Sequence, residues 1–570
     1  MLETSQNLFS VIHAFPLELW STIISLLSHR DILSLTSTCR ALHKIQGLKL
    51  TWIHILNSIC GEQGLYPPSF PSDEMDVSQL QRAAKGSTYH WPNLVKEFGY
   101  RYPHHSRSHS SGEDICGPEL EISRAPRSLN PISKVDLAPE IVEDMKKFLL
   151  IPGGRYLLIA GTRYLRLLDL GPAGTRSLEK RGGAPCITAQ IELASGPDPS
   201  SRPDEFQFIC DLVAEILEDG ETLRVAIASN LIVKVYDVVL RPENPSFEQL
   251  GVIRFGTGYH PGRKWALSFL GERLFLRAET RVLAWNFITG RYILGPGIGI
   301  WTSQSMCTEN LYIGFNDEAI LIWYIPSWDA NTKPVPASPL PYDLNDQSVT
   351  PPQPRINRSL DWSISLNYDE FQSDGEIGFV LPSGSSQNNK LPILFDMFFL
   401  SCPFSAEIKP PTVAYRYSLD VVVRDGHGDP SSLPGPSSVE PSKGVIQEVK
   451  FEQKAYWKFP SDRFEFFPMV TQSPHPGGLE HGYSSTALVR NYLGDHAIPP
   501  DFRVRDAIYS LVKDPPNGED KQDQYPDLVL TKLHGDTPPQ KISFCKSACR
   551  SVYTAIEDGQ TRAYVADYLA

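Results

Sequence analysis

The sequence predicts an all-α N-terminal region followed by a large all-β domain, and two periodicities carry this prediction. Between Phe15 and Ile59 the apolar residues recur three or four positions apart, the spacing of one helix face. From Phe148 to the end of the chain, alternating apolar segments come in pairs joined by short turns, as the strands of hairpins do. A helical region and a β domain are therefore expected in that order.

The first apolar stretch predicts three short helices in close succession. Pro16 suits a first helical turn, where its missing N–H is no loss, and Asp31 is expected as the N-cap of the second helix. The apolar stripe of the first helix consists of Leu19, Ile23, Leu26 and Leu27. A unit of about forty residues cannot bury so much apolar surface by itself, so a partner is expected.

These residues resemble the F-box family. The family pattern is met by Phe15, Pro16, Glu18, Leu19, Ile23, Leu27, Asp31, Ile32, Leu35, Cys39, Arg40 and Leu42, with Phe15 where Leu is commoner. The resemblance implies that the region binds the Skp adaptor and, through it, a cullin of a ubiquitin ligase. The implied contact residues are Phe15, Pro16, Leu17, Leu19, Ile23, Leu26, Leu27, Ile32, Leu33, Leu35, Cys39, Arg40 and Leu42. A generic amphipathic bundle without that partner is the alternative.

The rest of the chain divides into a connector and the β domain. We assign residues 1–62 to the F-box helical domain, 63–114 to a helical connector and loop, and 115–570 to the β domain. Val77 to Phe98 is expected to form one or two helices, interrupted at Gly86 and Pro92. Proline-, glycine- and serine-rich insertions are expected at 326–358 and 425–443.

Composition narrows the class of partner and the compartment. The formal net charge of −13 argues against nucleic acid or an anionic membrane as the main partner. The nine cysteines lack framework spacing, which is typical of reduced thiols, and the N-terminus lacks the basic region of a signal peptide. A cytoplasmic or nuclear protein, not a secreted one, is expected.

Five hairpins of one design recur in the β region. In each, a strand with small or aliphatic inward residues turns tightly into a strand whose ending is apolar or aromatic, mostly with Asp or Asn close by. The hairpins span 155–170, 222–238, 273–287, 310–325 and 551–569.

The hairpins resemble the central strands of the blades of WD-type β-propellers. The matching dipeptides are Leu168-Asp169, Tyr236-Asp237, Trp285-Asn286 and Trp323-Tyr324; none is the standard Trp-Asp, and their spacing is uneven. The resemblance implies a degenerate propeller with insertions, of seven blades within a range of six to eight. Because the last hairpin ends with the chain, a strand from within 115–150 is expected to complete the final blade. Another all-β domain, such as a sandwich, is the alternative to the propeller.

The middle of the β region is harder to group into blades. Segments 362–371, 375–382 and 391–400 are expected to form one blade, and 413–423 with 445–453 another. Segments 485–493, 506–513 and 527–533 supply further strands.

The sequence offers little catalytic chemistry. It lacks a Walker loop, a nucleophile elbow and an HExxH motif, and Cys545 and Cys549 have the wrong spacing for zinc, so we expect core thiols. No catalytic residue, cofactor site or metal site is assigned. Guanidinium groups match phosphate geometry, so arginines near hairpin turns are the candidate target-binding residues. They are Arg163, Arg277, Arg281 and Arg562.

Two classes of function follow. In the first, the chain is a non-catalytic substrate receptor: the F-box binds the ligase and the propeller binds an unknown target protein. In the second, the propeller is a scaffold or a module that binds or hydrolyses a small molecule, and the F-box only sets the protein's own turnover.

Overall fold

The structure of this 570-residue chain is a computed structural model. It describes residues 17–27, 29–38, 47–98, 100–102, 129–173, 185–193, 206, 208–229, 231–240, 245–256, 265–278, 281–297, 304–308, 311–315, 319–325, 333–336, 339–340, 362–365, 377–380, 393–399, 413–424, 445–458, 486–490, 506–512, 527–532, 541–545 and 547–569.

Almost all of the described helix lies before residue 99. The helices are α1 (Leu17–Ser25), α2 (His29–Thr38), α3 (Lys49–Gln63), α4 (Val77–Lys85), α5 (Trp91–Phe98) and, later, the single turn α6 (Pro139–Val142). The first three lie where the apolar spacing predicted helices. Asp31 lies in the first turn of α2 and is not its N-cap, because the helix begins two residues earlier. Asp76 caps α4 by accepting a hydrogen bond from the Gln79 N–H.

Residues 17–85 pack around one apolar core, and residues 17–98 together are called the helical module. Its buried members include Ile24 of α1, Ile32 of α2, Trp52 and Ile55 of α3, and Leu80 of α4. Since α1, α2, α3 and α4 all contribute to the same cluster, they form one packed unit, whereas α5 packs through Trp91 into the core of sheet 7.

The strands form seven antiparallel sheets, which we number along the chain. Sheet 1 holds β3 (Met145–Leu150), β4 (Tyr156–Gly161), β5 (Tyr164–Asp169) and β6 (Cys186–Glu192). Sheet 2 holds β7 (Ile209–Ile216), β8 (Thr222–Ser229), β9 (Ile232–Val239) and β10 (Ser246–Arg254). Sheet 3 holds β11 (Trp265–Leu270), β12 (Arg273–Ala278), β13 (Arg281–Asn286), β14 (Arg291–Gly297) and β18 (Lys333–Pro334).

Four sheets follow in the second half. Sheet 4 holds β15 (Gln304–Cys307), β16 (Leu311–Phe315), β17 (Ala319–Tyr324) and β19 (Trp362–Ser365). Sheet 5 holds β20 (Ile377–Val380), β21 (Ile393–Phe399), β22 (Val413–Arg424) and β23 (Val445–Lys458). Sheet 6 holds β24 (Thr486–Arg490), β25 (Asp506–Val512), β26 (Asp527–Lys532) and β1 (Tyr100–Tyr102). Sheet 7 holds β27 (Lys541–Cys545), β28 (Arg550–Glu557), β29 (Gln560–Asp567) and β2 (Ser133–Asp136).

Each of the first five sheets is a meander of strands in chain order, whereas the last two take their outer strand from the N-terminal part of the chain. The strand that completes sheet 7, Ser133–Asp136, lies within 115–150 and pairs with β29, which confirms that prediction. Sheet 6 is completed by Tyr100–Tyr102, which pairs with β26. This strand lies inside the predicted helical connector, so the β structure begins earlier than residue 115.

Sheets 7, 1, 2, 3 and 4 pack on one another in that order through their first strands. β27 contacts β3, β3 contacts β7, β7 contacts β11 and β11 contacts β15. Sheets 4 and 5 share a core in which Phe315 and Phe395 meet edge to face at 5.0 Å between ring centroids. Repeated four-stranded sheets packed side by side through their first strands give the protein a propeller-like architecture.

Two groupings in the middle of the chain were wrong. Residues 362–365 close sheet 4, and β20 to β23 form one sheet, not parts of two. The predicted insertion at 326–358 is anchored where it is described: Leu340 is buried and exchanges backbone hydrogen bonds with Arg254 and Gly256. The other insertion, 425–443, lies outside the described residues.

Candidate functional site

Helix α1 is apolar on two sides, and the described residues bury one of them in the module core. Ile24 is buried in the module core, and Trp20 and Leu27 pack against it. On another side, Leu19 is 48% exposed, Leu26 is 82% exposed and Ile23 is half-buried. Leu19 and Ile23 are four positions apart on α1, so their side chains share one face. Leu26 lies in the turn that follows the helix, where its N–H donates to the Ile23 carbonyl. We call Leu19, Ile23 and Leu26 the apolar stripe.

The remaining residues predicted to contact the adaptor are in part buried or half-buried, and in part outside the described residues. Ile32 is 2% exposed and lies in the same core as Ile24, where α2 uses it to pack on the module; its assignment as a contact residue stays a prediction. Leu27 and Leu35 are half-buried against that core. Leu17 and Leu33 belong to α1 and α2. Phe15, Pro16, Cys39, Arg40 and Leu42 lie outside the described residues.

The four candidate arginines belong to three different sheets. Arg163 is exposed at the β4–β5 turn of sheet 1, and Arg281 begins β13 of sheet 3. Arg562 is exposed in sheet 7, where Nη1 lies 4.0 Å from an Asp136 oxygen and 3.9 Å from a Glu557 oxygen. Arg277 lies in β12 of sheet 3 and is only 6% exposed, and this burial lowers the pKa of its guanidinium; its assignment as a target-binding residue stays a prediction.

A different set of arginines recurs at equivalent positions and was missed from the sequence. In three sheets an Arg at the start of the second strand forms an ion pair with an Asp at the end of the third. The pairs are Arg155–Asp169, Arg224–Asp237 and Arg550–Asp567. In sheet 3 the pair becomes Arg273–Asn286, and the Asn286 side-chain oxygen instead accepts the N–H groups of Ile288 and Thr289.

These arginines also reach beyond their own sheet. Arg224 Nη1 donates to the Gly271 carbonyl of sheet 3 at 3.3 Å. Arg550 Nη1 donates to the carbonyls of Gly154 and Gly171 of sheet 1 at 2.7 and 2.8 Å. Each guanidinium therefore forms an ion pair with a carboxylate of its own sheet, half-buried for Asp237 and buried for Asp567, and donates a further hydrogen bond to the adjacent sheet.

In sheet 1 the equivalent arginine binds the helical module. Arg155 Nη1 donates to the Pro68 carbonyl at 3.3 Å. Beside it, the Tyr66 N–H donates to the Pro152 carbonyl at 3.0 Å, and the Tyr66 hydroxyl donates to the Glu221 carbonyl at 2.8 Å. Tyr66 is fully buried in the core shared by sheets 1 and 2, and burial raises the pKa of its phenol, which stays a donor. The segment that follows α3 therefore lies between sheets 1 and 2 and is hydrogen-bonded to both.

The module makes a second attachment to sheet 7. The Trp91 ring packs on Phe544 at 4.8 Å between centroids. Gly86 lies against the Ser547 carbonyl, where a Cβ would come within 2.0 Å of the oxygen. All these contacts involve the ends at which the first strand of a sheet turns into the second, which we call the near rim. The helical module is therefore fixed on the near rim of sheets 7, 1 and 2.

This close approach gives a test of the docking. Gly86→Ala should destabilise the protein by about 1–3 kcal/mol, because the new methyl overlaps a backbone oxygen that cannot rotate away. The matched control is Gly61→Ala in α3, where no heavy atom lies within 4 Å of the added Cβ. That change should stabilise the helix by about 0.5–1 kcal/mol. Chemical denaturation of both variants measures the difference, and equal stabilities would contradict the described contact.

Metal-ligating side chains and long apolar helices are two further features that bear on function. The described residues contain no group of three or more His, Cys, Asp or Glu side chains placed to hold a metal ion. No helix in the described part of the chain combines the length and the apolar character needed to span a bilayer. Cys545 and Cys549 are fully buried, as predicted for core thiols.

Comparison with known proteins gives no information about the function of this chain. No family model and no curated protein matches the sequence. The β-propeller domain of Cps50 (Swd1) from Myceliophteria thermophila is similar over 76% of this chain and 98% of that one, at 9% identity and a TM-score of 0.35. The Nup170 N-terminal domain–Nup53 complex of Chaetomium thermophilum is similar over 86% of this chain and 67% of that one, at 11% identity and a TM-score of 0.35. Similarity of this size carries no argument about function.

Proposed function

We propose that this chain is the substrate-recognition subunit of a Skp–cullin–F-box ubiquitin ligase. The helical module binds the Skp adaptor through α1, and the β domain binds the target protein. The observation that supports the proposal best is the apolar stripe. It lies uncovered on a helix whose other side is well packed, and it belongs to the segment that meets the F-box pattern.

The exposure of the apolar stripe is better explained by a protein partner that covers it than by permanent contact with solvent. Single exposed apolar residues are normal on protein surfaces, but Leu19, Ile23 and Leu26 lie within one short stretch, on α1 and in the turn that follows it. Helix-in-groove recognition uses apolar anchors at this spacing. The adaptor contact is accordingly hydrophobic and centred on these three side chains.

For the β domain we propose a ring of seven blades, one for each sheet. Sheet 7 already contacts sheet 1, and both terminal sheets are completed by strands from before residue 137. A closed ring would leave only short sheet edges and would present many turns for protein recognition. The net charge of −13 favours a protein target over nucleic acid or an anionic membrane.

In this proposal the chain contributes proximity and no catalysis. It holds a target lysine near the ubiquitin-conjugating enzyme, which raises the effective concentration of the reacting groups. The Tyr66 hydrogen bond and the Trp91 ring contact support this role, because they fix the adaptor-binding helices relative to the target-binding sheets. Target binding then falls to the rim that the helical module does not cover.

The first test removes two anchors of the stripe. Leu19→Ala with Ile23→Ala should abolish co-purification with the Skp adaptor, since each side chain contributes about 1.5–3 kcal/mol when fully buried. The melting temperature should hardly change, because neither residue belongs to the module core. The matched control is Ile187→Ala with Ile556→Ala, two exposed apolar residues of sheets 1 and 7.

Adaptor binding at the wild-type level in the stripe variant would refute the F-box assignment. If the variant only raises the level of this chain in cells while every co-purifying protein keeps its normal turnover, the F-box serves self-turnover and not target degradation.

A further inference from the structure

Sheet 3 has one strand more than each of the other described sheets. Its fifth strand, β18, comes from the connection between β17 and β19, which are neighbouring strands of sheet 4. Neighbouring antiparallel strands can be joined by about two to five residues, whereas this connection runs from residue 325 to residue 361. Connections of this length are uncommon in compact domains and often carry function.

The connection lies across the groove between sheets 2 and 3, and we call its described residues, 333–336 and 339–340, the strap. One end of the strap lies along the outer edge of sheet 3, where β18 pairs antiparallel with β14. The Val335 N–H donates to the Gly290 carbonyl at 2.7 Å. Lys333 and Val335 are half-buried, and the proline that follows each of them is exposed. This alternation is typical of an extended segment with one face on the groove.

The other end of the strap is bound to sheet 2. The Leu340 N–H donates to the Arg254 carbonyl at 2.9 Å, and the Leu340 carbonyl accepts the Gly256 N–H at 2.6 Å. Leu340 is 4% exposed in the core shared by sheets 2 and 3, and Val335 packs against the same core. Gly290 lies on the near rim and Arg254 at the opposite end of its sheet. The strap therefore ends on the rim that the helical module does not cover.

The bound strap shows which chemistry the groove accepts. Its sequence, KPVPASPLP at 333–341, has proline at four of nine positions and two aliphatic anchors, Val335 and Leu340, five positions apart. Proline-rich segments are extended before they bind and dock in grooves with aromatic side chains. The core under the strap contains Phe255 and Tyr292. The edge of β14 adds main-chain hydrogen bonds, as in recognition by strand addition.

We propose that the groove between sheets 2 and 3 is the recognition site for an extended, proline-rich segment of the target protein, and that the strap occupies it until such a segment displaces it. The target segment carries two aliphatic residues at the spacing of Val335 and Leu340. In the described residues, the strap is held by two ladder pairs, three further backbone hydrogen bonds and two apolar side chains. A segment with the same pattern reproduces every one of these contacts. The inference rests on the proposed function only for the identity of the ligand as a target.

The test opens the groove and measures peptide binding to the full chain. The probe is a labelled synthetic peptide with the sequence of residues 332–343, followed by fluorescence anisotropy. Val335→Ser with Leu340→Ser removes both anchors of the strap. This variant should bind the peptide about tenfold or more tightly than the parent, because the parent binds only in the fraction of molecules whose groove is free.

Four controls accompany this measurement. Leu340→Ala alone should give a smaller gain, and it decides the result if the melting curve shows that the double variant does not fold. Ile187→Ser changes an exposed apolar residue of sheet 1 and should bind the peptide like the parent. The peptide with Leu340→Asp should not bind any of the proteins, since its anchor would place a charge in an apolar core. Adaptor affinity should be the same in the parent and in every variant.

Failure of the peptide to bind either folded strap variant, or equal affinity for the peptide and its Leu340→Asp form, would overturn the groove as a binding site. Equal peptide affinity in the parent and both strap variants would overturn displacement of the strap. Size-exclusion chromatography that shows a dimeric parent and a monomeric double variant would make a second copy the occupant and overturn the target assignment. If none of the proteins binds the adaptor, the proposed function fails, and the peptide result still decides the groove.

Discussion

A chain that lacks residues 551–570 should be insoluble. Strands β28 and β29 form the middle of sheet 7, paired with β27 on one side and with β2 on the other. Their removal leaves β2 and β27 with open edges and uncovers apolar side chains of sheet 1, among them Leu157 and Ile159. Exposed edges and apolar surface of this kind promote aggregation.

Soluble yield and thermal melting of the truncated chain measure this effect. The matched control deletes residues 425–443, a segment of similar length that joins β22 to β23. Its loss should change stability little, since the cost of loop closure depends weakly on length. A truncated chain that stays soluble and melts like the parent would refute the structural role of the last hairpin.

The five hairpins were predictable because their signals are local. Each combines period-two alternation with a short turn, and the structure places all five as the second and third strands of sheets. The last hairpin also has the predicted burial: Val552, Ala555, Tyr564 and Val565 are buried, and its turn at Gly559 and Gln560 is exposed. When one face of a sheet is buried, the alternation of apolar and polar residues specifies which side chains of a strand point inward.

Pairing between distant segments was not predictable in the same way. Tyr100–Tyr102 is three residues long and pairs with a strand more than four hundred residues later. Trp362–Ser365 gives no sign that it closes sheet 4 rather than opening sheet 5. Short strands carry too little periodicity to choose a partner, and the choice is made by the packing of whole sheets.

The same limit applies to the candidate site. Helical spacing placed Leu19 and Ile23 on one face, but α1 is apolar on two sides, and spacing does not say which side the module covers. Ile32 of α2 was assigned to the adaptor from the family resemblance, which likewise does not say which side chains the module buries, and it is buried. The arginine and aspartate pairs were missed, although an Arg near the start of the second strand and an Asp at the end of the third were visible in three hairpins.

The second large effect is expected from Arg550→Met. Arg550 has no exposed surface, and it forms a bidentate ion pair with Asp567 through Nε and Nη2. Its remaining nitrogen donates to the carbonyls of Gly154 and Gly171 in sheet 1. The methionine leaves the Asp567 carboxylate buried without its partner, which should lower the free energy of unfolding by about 3–5 kcal/mol.

Chemical denaturation of the full chain measures the loss, and two variants separate its causes. Arg562→Met removes an exposed arginine near two carboxylates of the same sheet and should cost at most about 1 kcal/mol. Arg550→Met with Asp567→Leu removes both buried charges and should recover much of the stability, because the unpaired carboxylate is gone. Any difference that remains between the free energies of unfolding of the double variant and of the parent would measure what Arg550 contributes through Gly154 and Gly171. These two hydrogen bonds attach the last sheet to the first. An Arg550→Met protein as stable as the Arg562→Met protein would show that this buried pair does not hold the two sheets together.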